Sequence, residues 1–108
     1  MTNYLYTAAQ CREIDRLAMQ SLGLKGMQLM QRAAEAAMDL LATCWPGAQT
    51  LNLYCGPGNN GGDGYLLATR AHQLGYAVRV CVVLPPASEL AIAAHAIAFE
   101  AGVEMSAP

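Results

Sequence analysis

Residues 55–65 read CGPGNNGGDGY, and the fold turns on how that string is taken. Before it lies the apolar, strand-like run TLNLY (50–54), and after it the helical run YLLATRAHQLG (65–75). Glycine forfeits more backbone entropy on folding than any other residue. Five of them in so short a stretch mark a place where the chain bends tightly or is closely approached. Gly56, Gly58 and Gly61 satisfy G-x-G-x-x-G between a strand and a helix. In that setting backbone N–H groups and a helix N-terminus receive an anion, typically a dinucleotide pyrophosphate. Two variants of this reading fail. The acidic residue that grips the ribose in an ordinary dinucleotide fold is missing, because the second strand ends VLPP (83–86). A P-loop needs Lys and Ser/Thr where Gly62 and Asp63 stand.

Asp63 is the misfit. A carboxylate inside a pure phosphate cradle repels its ligand, so either Asp63 caps the helix expected from about Gly64 to Leu74, or the site also holds a cation. Asn60 and Asp63 both offer hard oxygens suited to an alkali or alkaline-earth ion. Two side chains do not fill a shell of about six oxygens, so further ligands would come from elsewhere. Capping is the ordinary role for one aspartate before a helix. Two asparagines and five glycines exceed what a cap requires, and the binding reading is preferred.

Working outward, Thr7–Gln10 (TAAQ) matches a capping box opening a helix with Cys11, Ile14, Leu17 and Ala18 on one face. A second helix is expected over Met27–Trp45, with Met30, Ala33, Ala34, Ala37, Leu41 and Cys44 as its apolar stripe. Gln28, Arg32, Glu35 and Asp39 lie opposite, and Pro46–Gly47 stops it. A strand follows over Thr50–Cys55, then the glycine segment and its helix, closed by Gly75. AVRVCVVL (77–84) is almost continuously apolar, as in a buried parallel strand. After Pro85–Pro86, Ser88 caps an alanine-rich helix ending at Gly102, and VEM (103–105) begins a third strand. Strand–helix alternation implies α/β architecture with a parallel sheet and right-handed crossovers. The expected organisation is a helical lead-in at 7–46 and a strand-loop-helix-strand-helix unit at 50–105. A sheet this thin reads as truncated after the second or third strand.

The 108 residues carry 55% hydrophobic and 13% charged side chains with a net charge of −2. That composition describes a packed domain and disfavours nucleic acid as a partner. No run approaches a membrane span, and the N-terminus lacks the basic and apolar regions of a signal peptide. Cys11, Cys44, Cys55 and Cys81 form no CxxC pair, which argues against structural zinc and for a reducing, cytoplasmic setting. His72 and His95 have no partner at metal-binding spacing. Tyr65 reads as helix packing, and nothing aims Arg70 or Arg79 at a phosphate.

GPGNNGGDG, with LMQRAAEAA (29–37) before it and YLLATRAHQLGYAVRVCVV (65–83) after it, resembles the YjeF N-terminal domain family, the NAD(P)H-hydrate epimerases. Gln31 and Ala34 stand where that family often has an acidic residue and a glycine. The resemblance implies a Rossmann-like three-layer αβα fold roughly twice this length, of which residues 1–108 are the N-terminal part. It implies an isomerase for metabolite repair that interconverts the R and S epimers of hydrated NADH and NADPH (NADHX and NADPHX). Asn59, Asn60, Gly61, Gly62 and Asp63 match the family's substrate-binding segment, and Asn60 a potassium ligand, with K+ as cofactor. The family's catalytic aspartate and second phosphate loop lie downstream of anything in this sequence, so no catalytic residue is assigned. Homo-oligomerisation is left open. Some bacterial members are fused to an ADP- or ATP-dependent dehydratase. The alternative is a non-catalytic nucleotide-binding or dimerisation module of the same fold.

Overall fold

The structure, a computed structural model, describes residues 26–108. The helix expected from the Thr7 capping box lies outside them. Helix α1 spans Gly26–Cys44, strand β1 Thr50–Cys55, helix α2 Asn59–Gln73, strand β2 Ala77–Val82, helix α3 Glu89–Glu100 and strand β3 Glu104–Ser106. The strands form one parallel sheet in the order β1-β2-β3. Thr50 to Cys55 pair with Ala77 to Val82, and Arg79 to Cys81 with Glu104 to Ser106. The strands step in one direction, and α2 and α3 pack together on the same face of the sheet, the arrangement that crossovers of one hand produce.

Burial follows from that arrangement. On β2, Val78 and Val80 point into the core while Ala77 and Arg79 are exposed. The expectation of a strand covered on both faces is therefore corrected for the described residues. Arg79 interrupts the apolar run where the sheet faces away from the helices. There Asn52 and Tyr54 stand bare, and Arg79 Nε lies 3.4 Å from Glu104 Oε2, its direct neighbour in register. Two of the three expected layers, the sheet and one helical layer, are present among the described residues.

Helix α2 packs against the sheet on one side and α1 and α3 on the others. Ala68 and Ala71 of α2 and Ala91, Ala94 and Ala98 of α3 are fully buried. Small side chains on facing surfaces let helix backbones approach closely, and branched residues there would hold them apart. Val80, beneath α2, has no exposed surface, and burying such a side chain stabilises by roughly 1.5–3 kcal/mol. Positive φ values at Gly75 (95°) and Gly102 (91°) end α2 and α3, backbone that glycine enters without strain.

The apolar stripe of α1 differs from the expected one. Met30, Ala34 and Met38 are buried and Leu41 half-buried, whereas Ala33, Ala37 and Cys44 are exposed. Alanine occurs all round this helix, so it did not reveal the buried face. The long, adaptable methionines settle it by filling the space against α2.

Candidate functional site

The β1–α2 turn occupies the C-terminal edge of the sheet, where open α/β proteins bind ligands. Only Gly56, Pro57 and Gly58 lie outside regular structure, because α2 begins at Asn59 rather than near Gly64. Asparagine and glycine are poor helix formers, and local propensity would start the helix later. Packing overrides that preference. A Cβ on Gly61 would sit 1.9 Å from the Gly56 carbonyl oxygen and 2.8 Å from its carbon. One on Gly62 would meet Met30 Cε at 2.6 Å and the Ala91 Cα at 3.4 Å. One on Gly64 would lie 2.7 Å from Cys55 Sγ. These three glycines let the start of α2 nest against β1, α1 and α3.

Gly56 and Gly58 are different. Neither has a positive φ, and a Cβ on either would meet nothing within 4 Å. Among the described residues nothing requires glycine at either position.

Gly58 is the N-cap of α2 and supplies no side-chain hydrogen bond; the first intrahelical bond is Gly62 N–H to Gly58 O at 3.2 Å. The N–H groups of Asn59, Asn60 and Gly61 are thus left without intrahelical acceptors. The N-terminus of α3 lies beside it and carries a side-chain cap, Ser88 Oγ accepting the Ala91 N–H at 3.1 Å. One helix end has a side-chain cap and the other has none; uncapped N–H groups at a helix start favour an anion.

Asp63 occupies the fifth position of α2 and cannot be its N-cap. The capping reading is therefore set aside. Asn59, Asn60 and Asp63 come together in a cavity of about 160 Å³, closed by Gly26, Leu29, Met30 and Ala33 of α1 and Leu90 of α3. Gly61 and Gly62 are buried behind it. Among the described residues no group of three or more His, Cys, Asp or Glu is placed to hold a metal. Asn60 and Asp63 bring hard oxygens to this cavity, fewer than a cation's shell needs. A larger groove of about 360 Å³ runs along the helices past Gln31, Glu35, Thr69 and Arg70, apart from the glycine turn.

The residues set aside in sequence stay apart from the site. Arg70 lines that outer groove, and Arg79 faces the other side of the sheet. Tyr65 is fully buried, with His95 edge-on at a centroid distance of 5.0 Å and its hydroxyl without a hydrogen-bond partner. Burial, and then Cys55, pushes the Tyr65 pKa up. Burial, and then Cys81, raises the Cys55 thiol from 9.0 to about 11. A thiol so buried and raised is inert.

Ser88 carries more than the sequence revealed. Besides capping α3, its Oγ donates to Asn59 Oδ1 at 2.8 Å. Pro57 O accepts the N–H groups of Ala87 (2.9 Å) and Ser88 (3.2 Å). No local pattern signals a contact across that sequence separation.

A parallel sheet with a glycine turn and an open helix N-terminus at its C-terminal edge defines an α/β protein of the Rossmann-like class. The profile of the family described as YjeF-related protein N-terminus matches residues 26–107, and the chain belongs to that family. It is 49% identical over 76 residues to the "Bifunctional NAD(P)H-hydrate repair enzyme Nnr" of Coxiella burnetii, covering 70% of this chain and 15% of that protein. It is 36% identical over 83 residues to the "NAD(P)H-hydrate epimerase" of Limosilactobacillus fermentum, covering 77% and 40%. The crystal structure of yeast YNL200c superposes with a TM-score of 0.81 at 22% identity, over 97% of this chain and 47% of the yeast chain, a likeness of fold. The chain spans less than half the length of each of these relatives.

Proposed function

We propose that this chain supplies the substrate-facing turn of an NAD(P)H-hydrate epimerase, which interconverts the R and S epimers of hydrated NADH and NADPH. One observation carries the reading: α2 begins with a glycine that offers no side-chain cap to its first N–H groups, beside an α3 whose Ala91 N–H is taken by Ser88. A nucleotide phosphate would take the N–H groups of Asn59, Asn60 and Gly61, and bare Gly56 and Gly58 would let it approach. The helix dipole would add roughly 0.3–1 kcal/mol for a negative group there. Gly61 and Gly62 would serve by bringing that backbone forward.

Asn60 and Asp63 fit one side of a potassium site by the chemistry of their oxygens, the remaining ligands coming from outside this chain. The ion would supply positive charge beside the substrate; Asn60 and Asp63 would orient it. Epimerisation is proton transfer at a stereocentre by a positioned acid/base. We assign that group to a part of the protein beyond these residues. Cytoplasmic location and fusion to an ADP- or ATP-dependent dehydratase accompany the proposal, and the "bifunctional" name of the Coxiella relative supports the fusion. Both curated relatives are named for enzymes, so a non-catalytic module is not favoured.

The test is NMR exchange between the epimers of hydrated NADH. The full-length protein should accelerate exchange in potassium buffer, and residues 1–108 alone should not exceed the spontaneous rate. A full-length protein without acceleration would overturn the reading.

A further inference from the structure

Two helix N-termini meet at the glycine turn, and Ser88 touches both. Its Oγ receives the Ala91 N–H at 3.1 Å and lies 2.8 Å from Asn59 Oδ1. A serine hydroxyl has one proton and two lone pairs. With the Ala91 N–H delivered to the oxygen, the proton goes to the acceptor within reach, which is Asn59 Oδ1. The backbone holds the same junction, since Pro57 O accepts from both Ala87 and Ser88. The hydroxyl is therefore fixed by the turn that carries it.

An asparagine side chain has an acceptor at one end and two donors at the other. Tying Oδ1 to Ser88 leaves the Nδ2 donors as the free end of a residue that lines the cavity with Asn60 and Asp63. We propose that Ser88 is a positioning residue, which locks the Asn59 amide with its oxygen engaged and its nitrogen available, so that position 59 donates to an anionic ligand group. Asn59 then serves the anion, and the Asn60 side-chain oxygen is the one that faces a cation. The two adjacent asparagines have opposite tasks, set by one hydroxyl. This assignment rests on the nucleotide-binding reading above.

The test uses Ser88 variants of the full-length protein. The measurements are thermal melting, calorimetric affinity for NADP+, and the 15N–1H signals of the Asn59 side-chain amide. Ser88→Thr keeps a hydroxyl for both partners and should retain affinity and the Asn59 signals. Ser88→Asp caps α3 as well as serine does but offers Asn59 only acceptors, so the amide must turn its nitrogen inward. The fold should be retained, the Asn59 amide signals should shift, and NADP+ should bind roughly tenfold more weakly, the worth of one hydrogen bond to a charged group. In an Asn59→Ala background Ser88→Asp should cost nothing further. Unmoved amide signals in Ser88→Asp would overturn the lock. A further loss of affinity in the Asn59→Ala background would also overturn the proposal, because it would show that the new carboxylate repels the ligand directly. A wild-type protein that binds no NADP+ would overturn the nucleotide reading instead, and the amide signals would still decide the orientation of Asn59.

Discussion

Replacing Gly61 with alanine should destabilise the protein, although the position is helical and alanine is the best helix former. In an exposed helix interior this change stabilises by about 1 kcal/mol. Here the new Cβ would lie 1.9, 2.8 and 3.1 Å from the oxygen, carbon and nitrogen of Gly56. All three are backbone atoms, so no rotamer change relieves the contact. To reach even 3.0 Å, the first turn of α2 must retreat from the end of β1 by more than 1 Å. Overpacking of that kind costs roughly 1–3 kcal/mol or more, and it outweighs the propensity gain. We expect a net loss of about 1–2 kcal/mol in urea denaturation, with an unchanged m-value. Gly56→Ala is the control, because its Cβ meets nothing within 4 Å; its stability should stay within about 0.5 kcal/mol of wild type, while NADP+ affinity falls. Gly61→Ala melting at or above the wild-type temperature would refute the steric argument, and Gly56→Ala with full affinity would refute the open approach.

Gly64→Ala should cost roughly 1–3 kcal/mol by crowding Cys55 Sγ. Adding Cys55→Ala should recover about half of that, and a strictly additive double mutant would show that the two do not touch. The raised pKa of Cys55 means that the native state keeps a proton the unfolded chain has lost. Its contribution is complete below pH 9.0 and is lost as pH climbs through about 11, by roughly 2–3 kcal/mol. Comparing alkaline stability profiles of wild type and Cys55→Ala checks this, and equal slopes would count against it. In the full-length protein, Asn60→Ala should weaken potassium activation and substrate affinity together; an unchanged potassium titration would reduce Asn60 to a helix residue. Arg79→Ala should change stability by less than about 1 kcal/mol, since its bond to Glu104 is solvent-exposed, as thermal melting would show.

The strands and their parallel order were legible because Thr50–Cys55 and Ala77–Val82 are apolar runs bounded by turn residues and separated by a helix-length segment. Ser88 was legible as a cap from its place before the alanine-rich run. The start of α2 was not. Local rules end a helix at Asn-Asn-Gly-Gly, and the reason to continue it lies in Gly56 O, Met30 and Ala91, which only folding brings near. For the same reason Asp63 looked like a cap, because α2 was expected to start at Gly64, just after it, rather than at Asn59. The buried face of α1 was misread at Ala33 and Ala37 because alanine suits either side of a helix. The Ser88–Asn59 bond joins residues 29 apart, and no spacing rule covers it.

The division among the glycines has an evolutionary consequence. Gly61, Gly62 and Gly64 answer to the chain's own atoms, whereas a Cβ at Gly56 or Gly58 would meet none of the described residues. Selection for folding alone would therefore hold the first group and release the second. On the ligand-binding role proposed above, a descendant of this chain that gave up its ligand but kept its shape would accumulate side chains at positions 56 and 58 while positions 61, 62 and 64 stayed bare. In such a lineage the decay of the motif would begin at its N-terminal end, and a sequence caught partway would have lost its ligand before it lost its fold.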